Sequence, residues 1–183
     1  GPVSSIAVGG TFTCAMTGGG SVRCWGRNTE GQLGNGTFGV ALTPQPVQQI
    51  TNANSIVAGG FHACTADAAG TMKCWGSHSS GAIGDGTTSY AAQTVPAPVI
   101  SLAGPVTQAS AGGSHTCARI GNALQCWGAN VYGQIGDGTT TTRPAPVTVN
   151  MLGVSNISLG FNHTCAVTTT GGVKCWGYNY NGQ

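Results

Sequence analysis

Apolar and polar residues alternate along this chain in short bursts, and the bursts come in a fixed order. Phe12, Cys14 and Met16 alternate with Thr11, Thr13, Ala15 and Thr17, and Val22 and Cys24 alternate with Ser21 and Arg23. A period of two puts each set on one face of a strand. Gly18-Gly19-Gly20 between them predicts a hairpin turn. Upstream, Val3 to Val8 predicts a strand ended by Gly9-Gly10. Downstream, Trp25-Gly26 opens a loop that runs to Gly34, followed by the turn Asn35-Gly36-Thr37 and by Pro44-Gln45-Pro46-Val47. Proline cannot donate to a ladder, so the last segment predicts only a short edge strand.

The same order returns three times. The second, third and fourth hairpins run from Cys64 to Trp75, Cys117 to Trp127 and Cys165 to Trp176. Steps between first cysteines are 50, 53 and 48 residues. The predicted units are 3–53, 54–104, 106–153 and 154–183, the last one incomplete. Repeats of this length mark architectures in which one unit cannot bury its own apolar face. A four-stranded antiparallel unit of about 50 residues predicts a propeller blade, so the fold class is all-β, a β-propeller with about half a ring present. Trp25, Trp75, Trp127 and Trp176 are expected to wedge between adjacent blades, beside the small residues Thr13, Ala63, Thr116 and Thr164.

The eight cysteines fall in pairs 10, 10, 9 and 10 residues apart, which is no Cys-x-x-Cys metal pattern. In the third hairpin a two-residue turn, Gly121-Asn122, sets Ile120 opposite Ala123 and therefore Cys117 opposite Cys126. The other turns are one residue longer, and Cys14 still faces Cys24, Cys64 faces Cys74, and Cys165 faces Cys175. Such non-hydrogen-bonded pairs lie about 4.5 Å apart at Cα, within bridging distance. Four disulfides are expected, each stabilising by about 2–3 kcal/mol on a loop-entropy estimate. They point to an extracellular or cell-surface setting, or to the periplasm.

The recurring Gly-Gly-x-His-x-Cys-Ala, Val-x-Cys-Trp-Gly-x-Asn and Gly-Gln-Leu-Gly-x-Gly motifs resemble the regulator of chromosome condensation repeat, over the whole chain. Within it, the chain is similar to a cysteine-containing bacterial branch of secreted repeat proteins. The resemblance implies a seven-bladed propeller, of which about half is here. It also implies two styles of action, nucleotide exchange on a small GTPase and inhibition of a β-lactamase. Phe12 departs from the pattern where the other units have His62, His115 and His163, and His78 stands where the others have Asn28, Asn130 and Asn179.

Composition narrows the function. Charged residues are 5 % of the chain and the net charge is +2, with six scattered bases. That is too little for nucleic-acid binding, which needs clustered Lys and Arg. No apolar run is long enough for membrane insertion. The opening Gly1-Pro2, without Met or a signal peptide, matches what a tag-removing protease leaves, or an internal stretch of a longer protein. A fragment of a longer repeat protein is the first expectation; association through the bare end faces is the second.

Candidate chemistry is sparse. His62, His115 and His163 occupy one repeat position on different blades and are expected to bond backbone rather than metal. Asp85 and Asp137 each offer a single carboxylate in an Asp-Gly-Thr turn, too few for calcium. The four acids, Glu30, Asp67, Asp85 and Asp137, sit in separate repeats with no nucleophile motif, so no enzyme and no cofactor is expected. Asn35, Asn156 and Asn162 head formal glycosylation sequons. The loop after each Trp-Gly varies most, and loops on a rigid frame carry binding. Possible partner contacts are Arg27, Asn28, Glu30, His78, Asn130, Tyr132, Tyr178, Asn179 and Tyr180. The expected function is a non-enzymatic extracellular repeat scaffold for protein binding, adhesion or self-assembly. The alternative is a regulatory or inhibitory propeller docking one protein partner through its blade loops.

Overall fold

A computed structural model describes residues 1–151 and 153–183. Among them the regular structure is entirely β. The first sheet contains β1 (Val3–Val8), β2 (Phe12–Thr17), β3 (Val22–Gly26) and β4 (Ala41–Pro46). The second contains β5 (Ala53–Ala58), β6 (His62–Asp67), β7 (Met72–Gly76) and β8 (Gln93–Pro98). The third contains β9 (Gln108–Ala111), β10 (His115–Ile120), β11 (Ala123–Gly128) and β12 (Arg143–Val149). The fourth contains β13 (Val154–Leu159), β14 (His163–Thr168) and β15 (Val173–Gly177). Each sheet is an antiparallel meander in chain order, and the fourth ends at β15.

The turns set the hairpin register. Ile120 pairs with Ala123 and Cys117 with Cys126, while Cys14 pairs with Cys24, Cys64 with Cys74 and Cys165 with Cys175. All four pairs are disulfides, with Cα atoms 4.1 Å apart. The bridges face the next sheet. Cys14 and Cys24 share a core with Ile56, Ala63 and Trp75 of the second sheet. Cys64 and Cys74 meet Ala118 and Trp127, and Cys117 and Cys126 meet Val154, Ile157 and Trp176. One core thus forms per junction rather than per sheet, as blades that cannot bury their own faces require.

First strands line the shared centre, with β1 against β5, β5 against β9 and β9 against β13. There the blades touch through backbone: Gly10 N donates to Gly59 O at 3.2 Å and Gly60 N to Gly112 O at 3.0 Å. A Cβ on Gly60 would stand 2.8 Å from Gly113 O, so only glycine allows this approach.

The outer strands are longer than the short edges expected from their prolines, and one is displaced. Gly26 pairs with Ala41 and Gly76 with Gln93, but Gly128 pairs with Arg143. Pro146 therefore occupies the position of Pro44 and Pro96, and Val149 that of Val47 and Val99. Aligning the units by the first proline of each segment, Pro144 with Pro44, would be two residues out. Proline recurs every second residue in this segment, so a slip of two lays proline on proline and keeps every side chain on its own face.

Candidate functional site

Both prospective features of the sequence, the tryptophans and the loops, meet at the blade junctions. Trp75 and Trp127 are fully buried. Trp75 Nε1 donates to Gln32 O of the preceding unit at 2.9 Å, Trp127 Nε1 to Ala82 O at 2.9 Å and Trp176 Nε1 to Gln134 O at 3.0 Å. Trp25, in the first unit, is partly exposed.

The histidines join the same contact. His62 and His115 bond a threonine hydroxyl of the next blade, not the backbone groups expected from sequence. His62 Nε2 lies 2.8 Å from Thr116 Oγ1, and His115 Nε2 lies 2.9 Å from Thr164 Oγ1. Thr116 gives its one proton to Ala82 O and Thr164 gives its own to Gln134 O. The histidines must therefore donate from Nε2, which leaves Nδ1 bare. Burial pushes His62 down to about 4. Burial, together with His62 and His163, pushes His115 down to about 3. The first junction replaces the pair: Phe12 stands for histidine and Ala63 for threonine, both buried.

The loops turn several of their polar residues inward. Asn28 and Asn130 are fully buried, and His78 is 7 % exposed. Asn28 Oδ1 accepts from Leu33 N while its Nδ2 donates to Thr37 O, and Asn130 Oδ1 accepts from Ile135 N while its Nδ2 donates to Thr139 O. His78 fills the same place by bonding Asp85 at 3.0 Å. These three were candidates for partner contact; they staple the loop shut instead, because buried loop amides need acceptors. Burial pushes Asp137 up, but hydrogen bonds from Thr139 and Arg143 outweigh it and hold its carboxyl at about 2. Sequence reasoning passed over Gln32 and Gln134. Both are buried, and their Oε1 atoms accept from Glu30 N and Tyr132 N. The recurring Gly-Gln was the signal.

Other loop residues remain outside. Arg27 is exposed with its Nε on Thr29 Oγ1, Glu30 is half-buried, and Asn179 is exposed. The tyrosines gather across two blades. Tyr132 and Tyr178 meet edge to face with ring centroids 4.9 Å apart, and Tyr178 and Tyr180 lie 6.3 Å apart. Tyr132 is 46 % exposed and Tyr180 85 %. Among the described residues no three metal-ligating side chains converge.

The family model described as Regulator of chromosome condensation (RCC1) repeat matches residues 19–66, 70–119 and 124–167, and a second model of that repeat matches 3–32 and 154–183. The chain belongs to the RCC1 repeat family. Two RCC1-repeat relatives cover nearly all of it. The ultraviolet-B receptor UVR8 of Arabidopsis thaliana is 32 % identical over 186 residues, covering 99 % of this chain and 42 % of the receptor. The X-linked retinitis pigmentosa GTPase regulator of Canis lupus familiaris is 40 % identical over 185 residues, covering 99 % of this chain and 18 % of the regulator. The chain thus spans less than half the length of these relatives. The propeller fold matches solved RCC1-type structures. Human WBSCR16 matches with a TM-score of 0.87 at 24 % identity, covering 100 % of this chain and 49 % of that one. Yeast RCC1 (Prp20) bound to Kap60 matches with a TM-score of 0.83 at 20 % identity, covering 97 % and 44 %.

Proposed function

We propose that this RCC1-repeat chain is a non-enzymatic, extracellular protein-binding scaffold whose contact surface is the loop face of its third and fourth units. The reading rests on the cluster of Tyr132, Tyr178 and Tyr180, which spans two blades on a disulfide-braced frame. Tyrosine gives contact area with little rotamer entropy to lose. Four disulfides suggest a non-cytosolic, oxidising location. No helix among the described residues is long and apolar enough to cross a membrane. Prp20, whose propeller fold this chain shares, is solved bound to Kap60 and described with its binding properties to Gsp1p and histones. The same surface suits the narrower reading of a regulator docking one partner.

The test is a pull-down from the extracellular proteins of the source organism. Wild-type protein and the double variant Tyr178→Ala, Tyr180→Ala are compared after both are shown to melt alike. A partner retained by wild type and at least tenfold depleted by the variant is the expected result. Equal retention sinks the loop-face assignment.

A second reading, confined to the 183-residue chain by itself, is self-association through its end faces, and Ile6 favours it. Ile6 is 62 % exposed, whereas its counterparts Ile56 and Ile157 are 6 % and 4 % exposed against the preceding unit's disulfide.

A further inference from the structure

The first unit carries Asn35-Gly36-Thr37 where the second and third carry Asp85-Gly86-Thr87 and Asp137-Gly138-Thr139. The three turns are built alike. Asn35 Oδ1 accepts from Thr37 N at 3.1 Å and from Thr37 Oγ1 at 2.9 Å. Asp85 Oδ1 accepts from Thr87 N and Thr87 Oγ1, both at 3.0 Å. Asp137 Oδ1 accepts from Thr139 N at 3.0 Å and from Thr139 Oγ1 at 2.8 Å. The buried loop asparagine adds a donor: Asn28 Nδ2 reaches Asn35 Oδ1 and Asn130 Nδ2 reaches Asp137 Oδ1, both at 3.3 Å. A backbone N–H can only donate, so Thr37 N fixes Oδ1 on this side of the Asn35 amide. The turn thus holds Asn35 through an atom that aspartate also has.

Asn35 differs from the two aspartates in reactivity. Its amide carries a leaving group, and the next residue is glycine. Gly36 has a φ of +79°, and a Cβ there would stand 2.6 Å from Gln48 Nε2, so the turn demands glycine and leaves the Gly36 nitrogen unshielded. The surrounding bonds favour attack by that nitrogen on Asn35 Cγ. The three donors on Oδ1 stabilise the negative charge that develops there as Cγ becomes tetrahedral. Gln48 Nε2 donates to Asn35 O at 2.8 Å and stabilises the Asn35–Gly36 peptide once its nitrogen is deprotonated. Gly36 N otherwise donates to Thr94 O of the second unit at 2.9 Å, so the reacting atom belongs to a blade junction. Asn35 is half-buried and Gly36 and Thr37 are exposed, so water reaches the turn. The other turns are inert by comparison. Burial pushes Asp85 up, but hydrogen bonds from Thr87 and His78 outweigh it and hold its carboxyl below the usual range. Asp137 is ionised for the reason already given, and an ionised carboxylate resists a nucleophile.

We propose that Asn35 is a self-modification site, at which the folded turn converts asparagine to aspartate. Gly36 N gives its proton to solvent and bonds Asn35 Cγ. The Cγ–Nδ2 bond breaks, and Nδ2 leaves as ammonia, taking up one proton and closing a succinimide ring. Water then opens the ring. Cleavage of the new Cγ–N bond gives aspartate; cleavage of the original peptide C–N bond gives isoaspartate. Aspartate keeps every acceptor of the turn and reproduces the arrangement at Asp137. Isoaspartate puts Cβ into the main chain and draws Gly36 away from Thr94. The fold therefore selects aspartate, and the first unit acquires the turn of the next two together with a negative charge.

The test is to age the 183-residue chain at pH 8, both folded and unfolded in urea with its bridges reduced. Samples are digested at acid pH, and the peptides carrying Asn35, aspartate or isoaspartate are separated and weighed. Conversion is expected in the folded chain, with an aspartate-to-isoaspartate ratio at least threefold above that of the unfolded chain. Thr37→Val removes one donor to Oδ1, and Gln48→Ala removes the donor to Asn35 O; both positions are exposed. Each variant is expected to convert at least threefold more slowly when folded and at the wild-type rate when unfolded. A folded chain that keeps the Asn35 amide while the unfolded chain loses it overturns the proposal. So does either folded variant converting as fast as wild type or faster, or an equal product ratio in the two states.

Discussion

At the scale of single residues, the junctions carry a paired choice. His62 with Thr116 and His115 with Thr164 are hydrogen-bonded pairs, while Phe12 with Ala63 fills the same space without polar atoms. Removing one member of a buried polar pair strands the other at a cost of about 1–3 kcal/mol, whereas replacing both with a fitting apolar pair is close to neutral. His62→Ala and Thr116→Ala are each expected to destabilise by that amount. His62→Phe with Thr116→Ala, which copies the first junction, is expected to cost less than the sum of its single replacements by about 1 kcal/mol or more, read from urea midpoints in a double-mutant cycle. Additive costs would show that the pair is not a unit. The same histidines set an acid limit. Both stay neutral when folded until about pH 4 for His62 and about pH 3 for His115, while the unfolded chain protonates them from about pH 6.5 downward. The unfolded state then binds more protons, so stability is full above pH 6.5 and falls as pH drops toward 4 and then 3. His62 alone accounts for about 3 kcal/mol of that fall. Denaturation at pH 7.5, 5.5 and 4 is expected to show it, with a shallower fall in His62→Phe. The histidine positions were legible in the sequence. Their partners were not, because a small residue beside a tryptophan reads as room rather than as a hydroxyl relay.

At the scale of elements, turn chemistry made the hairpins readable and the outer strands ambiguous. A turn of fixed length admits one register, so the position of Gly121-Asn122 determined which cysteines face each other. Nothing local pins β12, because a two-residue slip preserves both its prolines and its buried face. The inward loop residues were unreadable for another reason. Asn28 and Asn130 look solvated in sequence, and only the buried amides of Leu33 and Ile135 reveal why they turn in. The four hairpins are alike in sequence but not in surroundings. Six half-cystines are fully buried by a following blade, whereas Cys175 is exposed and Cys165 half-buried. Exchange requires a thiolate to reach a disulfide sulfur. Cys165–Cys175 is therefore expected to be reduced first under mild dithiothreitol, read by timed alkylation and peptide mass. Simultaneous loss of all four bridges would mean that the blades open together rather than shielding their bridges one junction at a time.

At the scale of the 183-residue chain, the first and fourth units each present one face that no other unit of these residues covers, and the two faces are not simple complements. Ile6 and Trp25 on the first unit present what the following side of every junction presents, and the Cys165–Cys175 bridge presents what the preceding side does. His163 and Thr13 even continue the histidine–threonine pairing. The inner rim breaks the match. Gly10, Gly60 and Gly113 allow backbone contact with the next blade, since a Cβ there would stand 2.9, 2.8 and 2.6 Å from its carbonyl oxygens. The fourth unit has Phe161 at this position, 61 % exposed. A real Cβ cannot sit so close to backbone, so a unit following the fourth must shift away from the interior geometry. Head-to-tail contacts do not close on themselves unless their rotation completes a ring, so a clean match here would favour open polymers. Phe161 opposes that outcome while leaving the apolar surface in place. Phe161→Gly is accordingly expected to raise self-association of the 183-residue chain, seen by light scattering as a higher mean mass at a given concentration. Adding Ile6→Glu to that variant is expected to abolish the gain. If Phe161→Gly leaves the mean mass unchanged, the rim does not govern stacking, and the end faces differ from the interior junctions by more than one side chain.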